Sequence, residues 1–206
     1  MFIKKKLLWI LLFGSLIGLN ETLIGSLNVP YRSVILSSIT LAILSVARSQ
    51  IPKTGTSLLI IVIAILYKIN SIGVHSCTTN VLLCGPTALL ILGIGYEVSA
   101  SLIIAKNTFK YLYYVLACGF TSIVAFSIFA VMNTYILSAW DTSRLSEYIF
   151  VKASLTAIAS SVLSILALYT VSFLKNVNVA RLNPYVIQGL LGSIIIALWL
   201  FGYFTT

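Results

Sequence analysis

The sequence is poor in acid–base groups. It holds four acidic side chains, Glu21, Glu97, Asp141 and Glu147, and one histidine, His75. That scarcity excludes most hydrolytic and metal-dependent chemistry. There is no H-E-x-x-H pair, no Ser-His-Asp set, no paired-acid metal motif and no G-x-x-x-x-G-K-[ST] loop to cradle a phosphate. His75 alone is a thin supply of axial ligands for a haem. The expectation is a protein that is not an enzyme, holds no metal or cofactor and does not hydrolyse ATP by itself. Charge of either sign is scarce too, at 8% of residues against 60% hydrophobic. A chain of 206 residues cannot hide so much apolar surface in one soluble core, so its solvent is expected to be the lipid bilayer. Cysteine is sparse and odd in number. On a helix Cys77 and Cys84 would stand about 10 Å apart, too far for a disulfide, and with Cys118 they read as small buried hydrophobes.

What is abundant is apolar sequence in long runs. With about 20 residues needed to cross a bilayer, candidate spans lie near 7–27, 33–47, 56–69, 80–105, 111–138, 150–174 and 185–204. The second and third are short and have to draw in flanking residues such as Tyr31 and Arg32, tilt little, or stop before crossing. The fold class is therefore all-α, a polytopic membrane helical bundle of six or seven transmembrane helices. Residues 1–206 form a single integral membrane domain, since no linker, low-complexity tract or repeat divides the chain.

Of the thirteen Lys and Arg, three open the chain as Lys4–Lys6 and the other ten sit as ones and twos among these runs, which argues for topology and against a nucleic-acid partner. With the N-terminus inside, one side carries Lys4, Lys5, Lys6, Arg48, Lys53, Lys106, Lys110, Lys175 and Arg181. The other carries Arg32, Lys68, Arg144 and Lys152. The bias of basic residues toward the cytoplasm then gives a cytoplasmic N-terminus in the cell membrane, with the C-terminus outside if seven spans cross. Lys4–Lys6 followed by the apolar run from Leu7 to Leu19 has the first two regions of a signal peptide. No A-x-A site follows, so the segment is expected to stay as a helix.

Polar side chains at membrane depth usually face the bundle interior or a water-filled cavity. Three groups fall toward the same, outer end: Asn20, Glu21 and Thr22; Lys68, Asn70, His75 and Asn80; and Asn133, Trp140, Asp141 and Arg144. Together they could line an outward pocket, with Tyr135 and Trp140 adding apolar contact area. Plainer roles are open for each: Glu21 pairing with Arg32 or Lys68, Asn133 bonding a neighbouring helix, His75 as a loop residue. Asp141 is an N-cap candidate for a short helix continued by Arg144 and Glu147. Gly14 and Gly18 have the four-residue spacing that lets another helix approach closely, from within the chain or from a partner.

From Ile51 to Glu97 the chain reads IPKTGTSLLIIVIAILYKI, an outer loop, then LLCGPTALLILGIGYE. A short third helix opened by a Pro-x-x-Gly turn, a polar outer loop, and a Gly-Pro helix carrying a glutamate resemble the substrate-binding S components of energy-coupling factor (ECF) transporters. The size and the basic N-terminus are similar as well. The resemblance implies capture of a vitamin-like micronutrient from outside, without catalysis. It also implies docking, through small residues of the first helix, onto a transmembrane coupling protein driven by two ATPase subunits. Gly14 and Gly18 match that docking position, where the family more often has alanines. Asn20, Glu21, Arg32, Lys68, His75, Asn80, Asn133, Trp140 and Arg144 are the substrate-binding candidates. Two departures stand out: seven spans where the family generally has six, and Met1-Phe2-Ile3 where its nickel and cobalt branch has an early histidine, which disfavours a metal substrate. A self-sufficient secondary transporter or channel using Glu21 or Glu97 as a proton or ion site, a structural subunit of a membrane complex, and a lipid-modifying enzyme are the alternatives.

Overall fold

In a bilayer every backbone N–H and C=O must find a partner within the chain, and a helix supplies those partners locally. The described residues are helical apart from the turns between helices. The computed structural model describes residues 2–27, 29–72, 79–103, 110–136, 140, 142–176 and 184–204, with the side chains of 2–5, 26, 70–72, 79–84, 110, 174–176, 184–187 and 203–204 outside that description. The helices are α1 (Phe2–Ser26), α2 (Arg32–Gln50), α3 (Thr56–Ile72), α4 (Thr79–Ile103), α5 (Lys110–Val131), the short α6 (Thr142–Ser146), α7 (Ala153–Asn176) and α8 (Pro184–Phe204). Two π-helical stretches, Met132–Ile136 and Glu147–Lys152, extend α5 and lead into α7.

The breaks follow the residues that cannot continue a helix. Pro30 lies between α1 and α2, and Pro52 and Gly55 lie between α2 and α3. Pro184 opens α8, a position where its missing N–H costs nothing. Gly55 has φ +84°, in the left-handed region that glycine enters without strain, and the turn there closes with the Thr56 amide donating to the Lys53 carbonyl at 3.3 Å.

The seven long helices match the seven apolar runs, and α1, α2, α4, α5 and α7 are long and apolar enough to cross a membrane. α3 and α8 offer shorter apolar stretches, Thr56–Ile69 and Gln188–Gly202. Of the three ways open to the short second run, drawing in flanking residues is the one the structure takes. α2 has 19 residues because it takes in Arg32 at one end and Arg48 to Gln50 at the other. Around the outside run rows of large apolar side chains, among them Leu90, Ile94, Val98 and Leu102 on α4 and Ile158, Val162, Ile165 and Tyr169 on α7. A soluble monomer rarely exposes so much apolar surface. By length and composition this is a membrane protein.

Six helices pack in the cyclic order α1, α3, α4, α5, α7, α2, and α8 lies outside the cycle against α1 and α3. α2 also reaches α3, α4 and α5, so it runs toward the middle. It is the least apolar of the five spanning helices and the most buried, because its hydroxyl-rich surface meets protein where the other helices meet lipid. The core gathers Phe13 and Ile17 of α1, Leu41 and Leu44 of α2, Ile60, Ile61 and Ala64 of α3, Leu89, Leu92 and Tyr96 of α4, and Ala117, Cys118 and Ala125 of α5. α8 is tied on by Tyr67, whose hydroxyl donates to the Leu198 carbonyl at 2.6 Å, and by Trp199, whose ring N–H donates to Ser15 Oγ at 2.8 Å.

Gly14 and Gly18 are used inside the chain. A Cβ on Gly14 would stand 2.6 Å from Ile63 Cβ, and one on Gly18 would stand 2.6 Å from Tyr67 Cβ. Both glycines are seated under α3 and buried, so the helix their spacing lets approach is one from within the chain. The close α1–α3 approach needs them, so Gly18→Ala is expected to lower stability by about 1–3 kcal/mol, the range for an overpacked core. On α8, where nothing lies within 4 Å of a Cβ on Gly192, Gly192→Ala is expected to stay within about 0.5 kcal/mol. Thermal unfolding of the two variants in detergent checks this, and equal shifts would contradict the packing described.

Candidate functional site

Two buried ion pairs mark opposite ends of the bundle. The α2–α3 turn lies at one end, with Arg48 and Glu97. The α1–α2 turn lies at the other, with Glu21 and Lys68.

At the first end, the N-terminus of α3 is tucked against α4, where its leading amides need an acceptor. Glu97 supplies it. Its Oε1 accepts from the Gly55 amide at 2.8 Å and its Oε2 from the Ser57 amide at 3.1 Å. Arg48, in the last turn of α2, donates from Nη1 to Glu97 Oε1 at 3.2 Å and also to the Lys53 carbonyl. Both side chains are almost fully buried, at 7% and 11% exposed. A cation at a helix C-terminus and a carboxylate at a helix N-terminus each complement the local dipole. Glu97 thus joins α2, the turn, α3 and α4 with both of its oxygens engaged.

At the second end, Lys68 Nζ meets Glu21 Oε2 at 2.7 Å, with the side chains 17% and 10% exposed. The lysine lies across Gly85 on α4, where a Cβ would collide with its Nζ. One residue before Glu21, the Asn20 amide donates to the Leu36 carbonyl of α2 at 3.4 Å. The result is a charged and polar group shared by α1, α2, α3 and α4. Arg32 stands apart from it, exposed, donating to the Gly25 carbonyl at 2.7 Å at the end of α1. Of the two partners considered for Glu21, the structure selects Lys68.

Between the ends, hydroxyls hold the helices together. Ser45 Oγ on α2 donates to the Leu41 carbonyl at 2.9 Å and accepts from the Tyr96 hydroxyl at 3.1 Å. It also lies 3.1 Å from Cys118 Sγ and 3.3 Å from Ser164 Oγ. Ser122 and Ser160 approach to 3.4 Å, and Thr121 donates to Ser99 at 3.1 Å. Cys118 is buried as expected, yet it belongs to a polar cluster. Thr156, Ser160 and Ser164, one turn apart along α7, are all fully buried, which lets α7 lie close to α2 and α5.

Asn133 and Trp140 form a further group at the end of α5. Asn133 donates to its own helix, at the Phe129 carbonyl 2.8 Å away. Trp140 packs edge-on against Phe129 with ring centroids 5.6 Å apart, and against Tyr148 at 4.3 Å. Lys152 Nζ stands 3.9 Å over the Tyr148 ring and pairs with Glu147 at 3.2 Å. Tyr135, expected to add contact area to a pocket, is 66% exposed. Arg144 lies exposed on α6, where the short helix expected after residue 141 does form. His75, Asp141 and the side chains of Asn70 and Asn80 lie outside the described residues.

Sequence reasoning missed the Arg48–Glu97 joint, having counted Arg48 as a loop charge. A signal was present: the turn ending in Gly55 and Thr56 leaves a helix start in need of an acceptor, and Glu97 is the one carboxylate between residues 22 and 140. The serines of α7 gave no comparable sign, because their spacing fits a lipid-facing helix equally well.

Fold and site together define a class: an all-α bundle of membrane-compatible helices with buried charge at both ends and a hydroxyl seam between. No family model matches the chain, and no match was found among curated proteins or solved structures.

Leaving one partner of a buried pair alone costs about 3–5 kcal/mol, so Glu97→Gln is expected to destabilise the protein on that scale. Glu147, with its side chain 49% exposed, has water as an alternative partner, and Glu147→Gln is expected to cost only about 0–1 kcal/mol. Denaturant unfolding of both variants in one detergent measures the contrast. Similar values would show that the Glu97 cluster carries no special weight.

Proposed function

We propose that this chain is a membrane-embedded capture subunit for a vitamin-like micronutrient, which docks onto a separate transmembrane protein energised by ATPase subunits. The observation that carries this reading is the buried Glu21–Lys68 pair with Asn20 beside it, set at one end of an apolar-coated bundle. Intramembrane ionisable groups usually mark a substrate or ion path, and few but well-placed polar groups in apolar walls are how small-molecule sites are built. In this reading the cell membrane is the location, the N-terminus is cytoplasmic, and the Glu21 end faces outward, as the bias of basic residues suggests. Docking uses a surface other than Gly14 and Gly18, which α3 covers. The resemblance of residues 51–97 to the ECF S components adds to it.

A second reading, a self-sufficient proton-coupled carrier, draws on the same carboxylate–ammonium pair. Glu97 is a poor ion site for such a carrier, because both its oxygens are occupied by Arg48 and two backbone amides.

Purification from native membranes is expected to bring down an ATPase-bearing module together with a retained small molecule seen by mass spectrometry. Liposomes holding this chain alone are expected to show no uptake driven by a pH gradient. Glu21→Gln leaves Lys68 without its carboxylate and is expected to lower folded yield, and in the protein that does fold to lower occupancy by the retained molecule about tenfold, the loss of roughly 1.4 kcal/mol of contact. Uptake by the isolated chain would favour the carrier, and loss of yield without loss of occupancy would assign Glu21 a structural role.

A further inference from the structure

A buried hydroxyl on a helix has a ready acceptor in the carbonyl one turn back, and this chain uses it repeatedly. Ser15, Ser45, Ser99, Ser122 and Thr156 each donate to the carbonyl four residues earlier, at distances between 2.6 and 2.9 Å. Thr40 of α2 departs from that habit. It is fully buried, and its hydroxyl has no hydrogen-bond partner among the described residues. The carbonyl it would use, that of Leu36, is already filled. A carbonyl oxygen has two lone pairs. One takes the Thr40 amide, as an α-helix requires, and the other takes the Asn20 side-chain amide of α1 at 3.4 Å. Thr40 has lost its acceptor to a residue of another helix.

The bond that displaced it is a weak one. At 3.4 Å it is longer than the usual N–H···O range and longer than each of the hydroxyl bonds above. Threonine on a helix has two accessible rotamers, one of which carries its Oγ1 to the carbonyl one turn back. A rotation about χ1 therefore lets Thr40 take the Leu36 lone pair whenever Asn20 leaves it. The exchange trades one hydrogen bond for another, so the two arrangements lie close in energy. Asn20 is half-buried and precedes Glu21, whose pair with Lys68 marks that end of the bundle. Its amide is thus the one donor there that can leave its partner without stranding it. With no hydroxyl at position 40, the same departure would leave a buried lone pair unmatched between α1 and α2, which folded proteins avoid.

We propose that Asn20 is a releasable hydrogen-bond donor to a carbonyl-type acceptor on the captured solute, and that Thr40 is the positioning residue that takes over the Leu36 carbonyl when Asn20 turns away. Capture then replaces a bond between α1 and α2 with one inside α2, so the arrival of the solute is passed on as a loosened contact between the two helices. This rests on the capture-subunit reading and adds to it the chemical class of the group recognised and a residue that acts without touching it.

The test is a double-mutant cycle on the full-length protein in one detergent, with Asn20→Ala, Thr40→Val and the two combined. Thr40→Val removes an unmatched hydroxyl and is expected to keep or raise the apparent melting temperature. Asn20→Ala is expected to lower it little where Thr40 can take its place, and by at least about 2 °C more in the Thr40→Val background, the scale of one hydrogen bond in a protein of this size. Additive shifts overturn the proposal. The second readout is the amount of small molecule that each variant retains from native membranes, measured by mass spectrometry after matched washing. Thr40→Val is expected to retain about fivefold less than the parent although it is no less stable, and Thr40→Ser to retain as much as the parent. Equal retention by Thr40→Val and the parent also overturns the proposal. Additive shifts with a molecule still retained by the parent remove the exchange and leave the capture reading in place. A coupled cycle with nothing retained by the parent keeps the exchange and removes the capture reading, and with it the role of Asn20 toward a solute.

Discussion

A carboxylate in an apolar interior persists only if its oxygens are taken up by donors, and Glu97 satisfies that condition more completely than any other acid described in the chain. Arg48, the Gly55 amide and the Ser57 amide all converge on it. The turn between α2 and α3 depends on this convergence, since it leaves the first amides of α3 pointing at α4. The position of α2 depends on it as well, because the last turn of that helix supplies the guanidinium. Three helices and one turn are fixed by a single side chain.

From that joint the character of α2 follows. A helix with Ser37, Ser38, Thr40, Ser45, Arg48 and Gln50 is poorly suited to lipid, and the bundle responds by wrapping it. The apolar helices α4, α5, α7 and α8 carry large exposed side chains on their outer faces, while inward α7 presents Thr156, Ser160 and Ser164 and α4 and α5 mix hydroxyls with Leu89, Leu92, Tyr96 and Phe126. Ser45, Cys118, Ser164 and Tyr96 then meet on the axis. Hydrogen bonds between membrane helices contribute on the order of 0.6 kcal/mol each, so the seam selects which faces meet more than it strengthens the whole. At the opposite end the Glu21–Lys68 pair holds α1 to α3.

Much of the architecture was legible from composition and spacing. Apolar runs near 7–27, 80–105, 111–138 and 150–174 became α1, α4, α5 and α7 because run length alone determines a spanning helix. The run at 33–47 read as short because Arg32 and Arg48 looked like its limits. Both belong to the helix, Arg32 reaching back to the end of α1 and Arg48 inward to Glu97. Site residues were harder to place. Glu21 and Lys68 were recognisable as expensive charges at similar depth, and they do meet. Asn133, on the extension of α5, and Trp140, beyond it and packed on Phe129, fall in a separate group, and Arg144 remains outside. Gly14 and Gly18 announced close packing without naming the neighbour, since spacing records how near a helix comes and not which one. Ser38 and Thr134, whose buried hydroxyls have no hydrogen-bond partner among the described residues, gave no sign in the sequence. Their distinction is a missing bond, which only a three-dimensional arrangement reveals.

The central claim is that Glu97 fixes the α2–α3 turn through backbone amides. Hydrogen–deuterium exchange, comparing the parent chain with Glu97→Gln, tests it most directly. Slow exchange of the Gly55 and Ser57 amides in the parent, and faster exchange in the variant confined to residues 51–57 while the α1–α2 end is unchanged, is the predicted result. Equal exchange in the two proteins across 51–57 would contradict it.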